Sequence, residues 1–262
     1  MTTKTLPYYR VIGKEVEVFE YCYKNQLPLL LKGPTGCGKS RFVEYMAEKF
    51  NKKLITVSCH EETSAIDLIG RFVIKGAETV WLDGPLTRSV RENCWIYIDE
   101  IAEARPDVLV AIHSLTDYRR TLYIDKTNEE LIASSEFMLI ASYNPGYQGL
   151  GKEIKPSTKQ RFVSLQFNYP NQDIEIEIIL NEVQNKIKED DAKRLVFFAN
   201  KVRNLHELGL VETVSTRLLV HTAKLIGDGL PPRLACEVGI LNPLTDDPEI
   251  LKNLKDIVAL FF

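Results

Sequence analysis

The chain has 262 residues, 45% of them hydrophobic and 26% charged, with a formal net charge of −3. That is the balance of a globular chain holding one core of ordinary size with room for one appendage. It excludes several classes: no apolar run approaches the ~20 residues that span a bilayer, "MTTKTLPYYR" has no apolar signal core, and no long basic block serves to grip nucleic acid. The expectation is a cytoplasmic protein that needs neither membrane nor nucleic acid. Its five cysteines (Cys22, Cys37, Cys59, Cys94, Cys236) are odd in number and form no C-x-x-C pair, so they read as reduced thiols. The four histidines lack metal-ligand spacing.

In chain order, Leu29–Leu31 is the first strand candidate, and "KGPTGCGKS" follows it directly. Phe42, Val43, Met46 and Ala47 then repeat at helical spacing. Further strands are expected at Leu54–Val57, Ile96–Ile98, Phe137–Ser142 and Val163–Phe167. They are short, rich in Ile, Val, Leu and Phe, and spaced for crossovers, which is the signature of a mostly parallel sheet covered on both faces. Two stretches break the alternation. Residues 70–84, "GRFVIKGAETVWLDG", read as a hairpin turning at Lys75–Glu78, and residues 119–133, "RRTLYIDKTNEELIA", as another turning at Asp125–Asn128. They are either plain surface hairpins or inserts that touch a partner or line a pore.

After Pro170 no strand is expected. Ala192, Leu195, Val196, Ala199 and Val202 share one helical stripe that stops at Gly209. Ser215 or Thr216 can cap the next helix, Pro231 and Pro232 open another, and Pro248 precedes "EILKNLKDIVALFF". The organisation expected is an α/β domain over residues 1–170 and an all-helical domain over residues 171–262.

Gly33, Gly38, Lys39 and Ser40 satisfy G-x-x-x-x-G-K-[ST], the loop that cradles nucleotide phosphates. Gly33, Gly36 and Gly38 lack Cβ, so backbone N–H groups can turn inward. Lys39 would neutralise the β- and γ-phosphates of ATP, Ser40 would ligate Mg²⁺, and the helix start adds its positive end. "CWIYIDE" ends a buried strand in two carboxylates. Asp99 would hold Mg²⁺ opposite Ser40, and Glu100 would polarise the attacking water; the bland alternative is a pair that caps a helix. Asn144 in "LIASYNPG" stands at a strand end facing the ligand crevice, or is a turn residue before Pro145. Arg217 lies at a helix start, where the macrodipole disfavours a cation unless an anion sits opposite. Arg161 precedes the last strand, from where it could reach a neighbouring subunit's nucleotide and supply charge in trans; the bland alternative for either arginine is a solvated surface residue.

The order phosphate loop, Asp-Glu, Asn, Arg, Arg-at-a-helix-start resembles the AAA+ ATPases. "GAETVWLDGPLTRSVREN", "SLTDYRRTLYIDKT" and "PSTKQRF" resemble their MoxR branch, and "PLLLKGPTGCGKSRFVEYMA", "SYNPGYQ", "STRLLV" and "NPLTDDPE" its CbbQ/NorQ group. The resemblance covers nearly the whole chain. It implies an αβα core with a parallel five-stranded sheet and a C-terminal helical lid, assembled as a homo-oligomeric ring, usually a hexamer. By position, Gly33, Pro34, Thr35, Gly36, Cys37, Gly38, Lys39 and Ser40 match Walker A, Asp99 and Glu100 Walker B, and Asn144 sensor 1. Arg161 matches the arginine finger and Arg217 sensor 2, while the two hairpins match the helix-2 and pre-sensor-1 inserts. CbbQ-like members work with a partner carrying a von Willebrand factor A domain and remodel Rubisco so that inhibitory sugar phosphates leave. NorQ-like members mature nitric oxide reductase. "GPTGCGKSRFVEYMA" and "NPLTDDPE" lean toward the CbbQ side. Two other classes compete: a P-loop kinase, which leaves Glu100, Arg161 and the hairpins without roles, and a nucleotide-gated scaffold with negligible turnover.

Overall fold

The apolar triplet Leu29, Leu30 and Leu31 is at most 1% exposed, because its strand, β1 (Leu29–Lys32), runs between two others in the sheet. In this computed structural model, residues 7–146, 154–205 and 212–262 are described. The other sheet strands are β2 (Leu54–Ser58), β5 (Trp95–Asp99), β8 (Met138–Tyr143) and β9 (Val163–Gln166). Their order is β2-β5-β8-β1-β9, and every pair is parallel. Strands buried on both faces read as near-continuous apolar runs, and β8 is buried along its whole length.

Helix α1 (Glu15–Lys24) precedes β1, and α2 (Lys39–Lys49), α3 (Ala65–Ile69), α4 (Pro85–Arg91), α5 (Pro106–Ile112) and α6 (Pro156–Lys159) lie between successive strands. Phe42, Val43 and Met46 of α2 are fully buried and Ala47 nearly so, as the helical spacing predicts. Phe19, Tyr23 and Phe50 surround Trp95 with ring centroids 5.0–5.6 Å away, distances at which aromatic pairs add to plain burial.

Both hairpins form. β3 (Gly70–Lys75) and β4 (Glu78–Asp83) pair antiparallel with Lys75 opposite Glu78. β6 (Thr121–Ile124) and β7 (Glu129–Ile132) pair with Ile124 opposite Glu129. Trp81 is an anchor at the hairpin base. Its ring lies against Gly70, where a Cβ would come within 2.6 Å of it, its indole N–H donates to Asp83 at 2.6 Å, and Phe72 packs edge-on at 5.2 Å. Tyr123, by contrast, alternates outward and is 42% exposed between buried Leu122 and Ile124.

Helical structure alone follows among the described residues after Pro170: α7 (Gln172–Glu182), α8 (Glu189–Arg203), α9 (Thr216–Gly227), α10 (Pro232–Cys236), a π-helical turn at Glu237–Leu241, α11 (Asn242–Leu244) and α12 (Pro248–Val258). Asn171, Ser215 and Asp247 cap three of them, each accepting a backbone N–H of the first turn. The Ala192, Leu195, Val196, Ala199 and Val202 stripe of α8 is buried; Gly209 lies outside the described residues. No helix among those described is long and apolar enough to cross a membrane.

The chain divides into two units. The first holds Gly13–Gly33 and Lys39–Phe167, and the second holds Tyr8–Ile12, Pro34–Gly38 and Asn168–Phe262. Within the core of the second, Glu175, fully buried, meets Arg203 of α8. Breaking such a pair by removing one partner costs about 3–5 kcal/mol.

Candidate active site

Parallel register lines up the carboxyl ends of the central strands. Leu31 stands beside Ser142, and Ile98 beside Ala141, one residue before it. Chain leaving β1 and β5 therefore emerges at one edge of the sheet, where open α/β sheets bind ligands. At Gly33 the backbone N–H donates to the Tyr143 carbonyl at 3.3 Å, and a Cβ would sit 2.4 Å from the Phe167 carbonyl oxygen. Only glycine fits so close an approach.

Lys39 begins α2 and is 5% exposed, its Nζ donating to the Gly33 carbonyl at 2.8 Å. The ammonium thus folds back across the loop mouth. Next to it, Ser40 Oγ donates to Asp99 Oδ2 at 3.2 Å and lies 3.3 Å from Tyr97 Oη. Tyr97 Oη donates to Asp99 Oδ1 at 2.7 Å and is 3.0 Å from Ser142 Oγ. Ser142 also bonds that carboxylate and accepts the Glu100 backbone N–H at 3.2 Å. Tyr97 and Ser142 are 1% and 0% exposed, and burial pushes the Tyr97 hydroxyl well above its usual range, so it stays a donor.

Glu100 is the first residue past β5 and has φ 53°, ψ 47°. A side chain other than glycine's pays about 1–2 kcal/mol in that left-handed region, and such strain persists only where the surroundings over-determine it. Here the Ser142 bond helps to hold it. Burial pushes the Glu100 carboxyl above its ordinary value; Lys39 opposes that shift, Asp99 adds to it, and an N–H of the Asn144 backbone opposes it as well. Asn144 follows β8, and its Oδ1 accepts the Gly146 N–H at 2.9 Å, a turn contact.

Arg161 lies apart from this cluster, just before the edge strand β9. Its Nη1 donates to Asp117 Oδ2 at 3.2 Å and to the His113 carbonyl at 3.4 Å. Asp117 is shared with Arg119, whose bonds chiefly hold its carboxyl down at about 2.

The loop residues Pro34–Gly38 belong to the second unit. Gly36 has φ +69°, and a Cβ there would lie 2.7 Å from Ser215 Cβ and 3.2 Å from Arg217 Cβ. The Thr35 carbonyl accepts Tyr169 Oη at 3.0 Å, and Thr35 Oγ1 donates to Glu212 at 2.9 Å. Cys37 is buried. Arg217, exposed, stands in the first turn of α9 behind the Ser215 cap. Gly36→Ala is expected to weaken ATP binding about tenfold, since the left-handed penalty alone is about 1–2 kcal/mol and the methyl meets Ser215. Titration with a fluorescent ATP analogue checks this; wild-type affinity would show that the loop can move aside.

These donors suit the ligands expected of them. A serine hydroxyl and a carboxylate are the hard oxygens Mg²⁺ takes, and a loop whose curl forbids a Cβ at Gly36 suits phosphate oxygens. Two members of the cluster, Tyr97 and Ser142, escaped the sequence reading. Alternation placed Tyr97 on the face of Asp99, two residues on, and Ser142 is the polar interruption of an apolar run; both signals were present and faint.

Residues 28–162 match the AAA domain model (dynein-related subfamily), and residues 175–261 match the CbbQ/NirQ/NorQ C-terminal model. Protein NorQ of Paracoccus denitrificans is 51% identical over 98% of this chain and 94% of its own length. The denitrification regulatory protein NirQ of Pseudomonas aeruginosa is 51% identical over 97% of each. Protein CbbQ of Hydrogenophilus thermoluteolus is 48% identical over 98% of this chain and 95% of its own. Among solved structures, NtrX of Brucella abortus in complex with ADP superposes with a TM-score of 0.59 at 14% identity, over 97% of this chain and 62% of that one. A RuvB mutant of Thermotoga maritima gives 0.57 at 14%, over 94% and 71%. Those two show likeness of fold alone.

Proposed function

The chain belongs to the AAA+ ATPases of the CbbQ/NirQ/NorQ group, and from that premise we propose that it is a cytoplasmic, ring-forming, Mg²⁺-dependent ATPase, usually hexameric, that remodels a protein client. The observation that carries the reading is the cluster at the end of β5: a serine–tyrosine–aspartate hydroxyl and carboxylate network with a strained, half-buried glutamate directly behind it. Lys39 binds the β- and γ-phosphates, with the loop N–H groups around them. Bound Mg²⁺ would be held by Ser40 and Asp99 and would neutralise charge on the phosphates. Glu100, its basicity raised by burial, takes the proton of the attacking water. Asn144 holds that water or the γ-phosphate, and Arg217 meets the phosphates from the start of α9. A kinase reading leaves Arg161 and the two hairpins without roles, and a silent scaffold has no use for the strain at Glu100.

For the client, the group supports two readings. With a von Willebrand factor A domain partner, the ring frees Rubisco of inhibitory sugar phosphates, the reading its "NPLTDDPE" segment favours. Maturation of nitric oxide reductase is the second reading, favoured by 51% identity to NorQ beside 48% to CbbQ. Ring, partner and ATP are expected to restore carboxylation to Rubisco blocked by a sugar phosphate, and Tyr123→Ala is expected to lose that rescue while basal hydrolysis stays within about twofold. Trp81→Ala is the poorer probe, because Trp81 packs into the hairpin base. Failure with Rubisco together with activation of a nitric oxide reductase would transfer the assignment to the second client.

A further inference from the structure

Glu175 is a carboxylate with no exposed surface, in a core where an apolar side chain of similar volume would be as stable or more so. Its two oxygens take both arms of Arg203 at 2.8 Å, and Oε1 also accepts the Thr216 hydroxyl at 2.6 Å. The third donor of Arg203, Nε, goes to the Val214 carbonyl at 2.8 Å. The same guanidinium stacks 4.2 Å from the centroid of Tyr169, whose hydroxyl donates to the carbonyl of Thr35 in the phosphate loop. One planar, rigid fork thus fixes Val214 and, through Glu175, Thr216 on either side of the Ser215 cap, while it holds the ring that reaches the loop.

We propose that Glu175, Arg203 and Tyr169 are positioning residues for ATP: they set the Thr35–Gly36 stretch of the phosphate loop against the helix start that carries Arg217. This rests on the ATPase reading above. The requirement for precision is visible at Gly36, where a single methyl would collide with Ser215. Tyr169→Phe removes one hydroxyl and keeps the ring on Arg203, so it leaves the apolar packing whole. Arg203→Lys keeps the charge beside Glu175 but gives up the fork, the Val214 bond and the stacking geometry.

The experiment measures ATP KM and kcat, the Kd for a fluorescent ADP, and Tm on the full chain for wild type and both variants. Tyr169→Phe is expected to raise KM and Kd about fivefold with kcat within about twofold, the sign of lost uniform binding, and with little change in Tm. Arg203→Lys is expected to raise KM at least as far and to lower kcat too, because Arg217 loses its fixed helix start. In the double variant the KM effects should fall short of additive, as members of one network do. A fall in Tm with KM, kcat and Kd all unchanged would reduce the network to core packing and overturn the proposal. If Arg203→Lys does not fold, Tyr169→Phe decides alone by the same readings. Tight ADP binding by wild type and both variants alike overturns this inference only, whereas a wild-type chain that binds no nucleotide overturns the ATPase reading with it.

Discussion

Lys39→Ala is expected to lose nucleotide binding, while Glu100→Gln keeps ATP affinity and loses about 10²–10⁴ in kcat, the usual worth of a positioned acid–base group. The two residues flank the same crevice but do different work. The Lys39 ammonium is 5% exposed and folded across the loop mouth onto the Gly33 carbonyl; without it the phosphates face the carboxylates Asp99 and Glu100 with no cation between. Glutamine in place of Glu100 keeps the side-chain shape and the backbone bond to Ser142, so the strained turn survives and only the proton acceptor goes. Equilibrium binding of a fluorescent ATP analogue and steady-state phosphate release, measured on both variants, separate the two effects. Near-normal phosphate release by Glu100→Gln would remove the base assignment.

The elements that were plain in the sequence are those where chemistry and backbone demand coincide. Gly33 and Gly36 announce the phosphate loop because no other side chain fits beside Phe167 or Ser215. The stripe on α8 and the apolar triplet of β1 are legible because burial imposes a period or abolishes it. The hairpins were legible too, since their strands alternate about short turns. What escaped was tertiary. Tyr97 looks like one more aromatic in a buried strand until Ser142 arrives from β8 to share its hydroxyl. Glu175 sits among the acidic residues that open α7 and looks like a dipole-favoured surface group; only folding brings Arg203, 28 residues away, onto it. Periodicity reports which face is buried, and says nothing of which polar groups will meet there.

Arg161→Ala is expected to bind ATP as wild type does and to hydrolyse it about 10³-fold or more slowly, the range seen when an arginine finger is absent. In the single chain Arg161 leans on Asp117 at 3.2 Å with its side chain 33% exposed. A partly exposed pair of this kind is worth about 0–1 kcal/mol, and Asp117 keeps Arg119 at 2.7 Å when Arg161 leaves. The guanidinium can therefore exchange Asp117 for a phosphate at small cost, and its Nε, buried without a partner, gains from any acceptor. Its position before the edge strand β9 suits delivery to a neighbouring copy. Mixing Arg161→Ala with Lys39→Ala chains tests the direction of that delivery: neither hydrolyses alone, but an Arg161→Ala loop beside a Lys39→Ala neighbour has an intact phosphate site and an intact arginine. Partial recovery of turnover on mixing, together with turnover that rises with protein concentration, is the expected result. Head-to-tail contacts close into a ring only at the right rotation and otherwise run on as a filament, so the mass of the ATP-bound assembly distinguishes those geometries. No recovery on mixing, with a strictly monomeric mass in ATP, would return Arg161 to the role of a local brace for Asp117 and the His113 carbonyl.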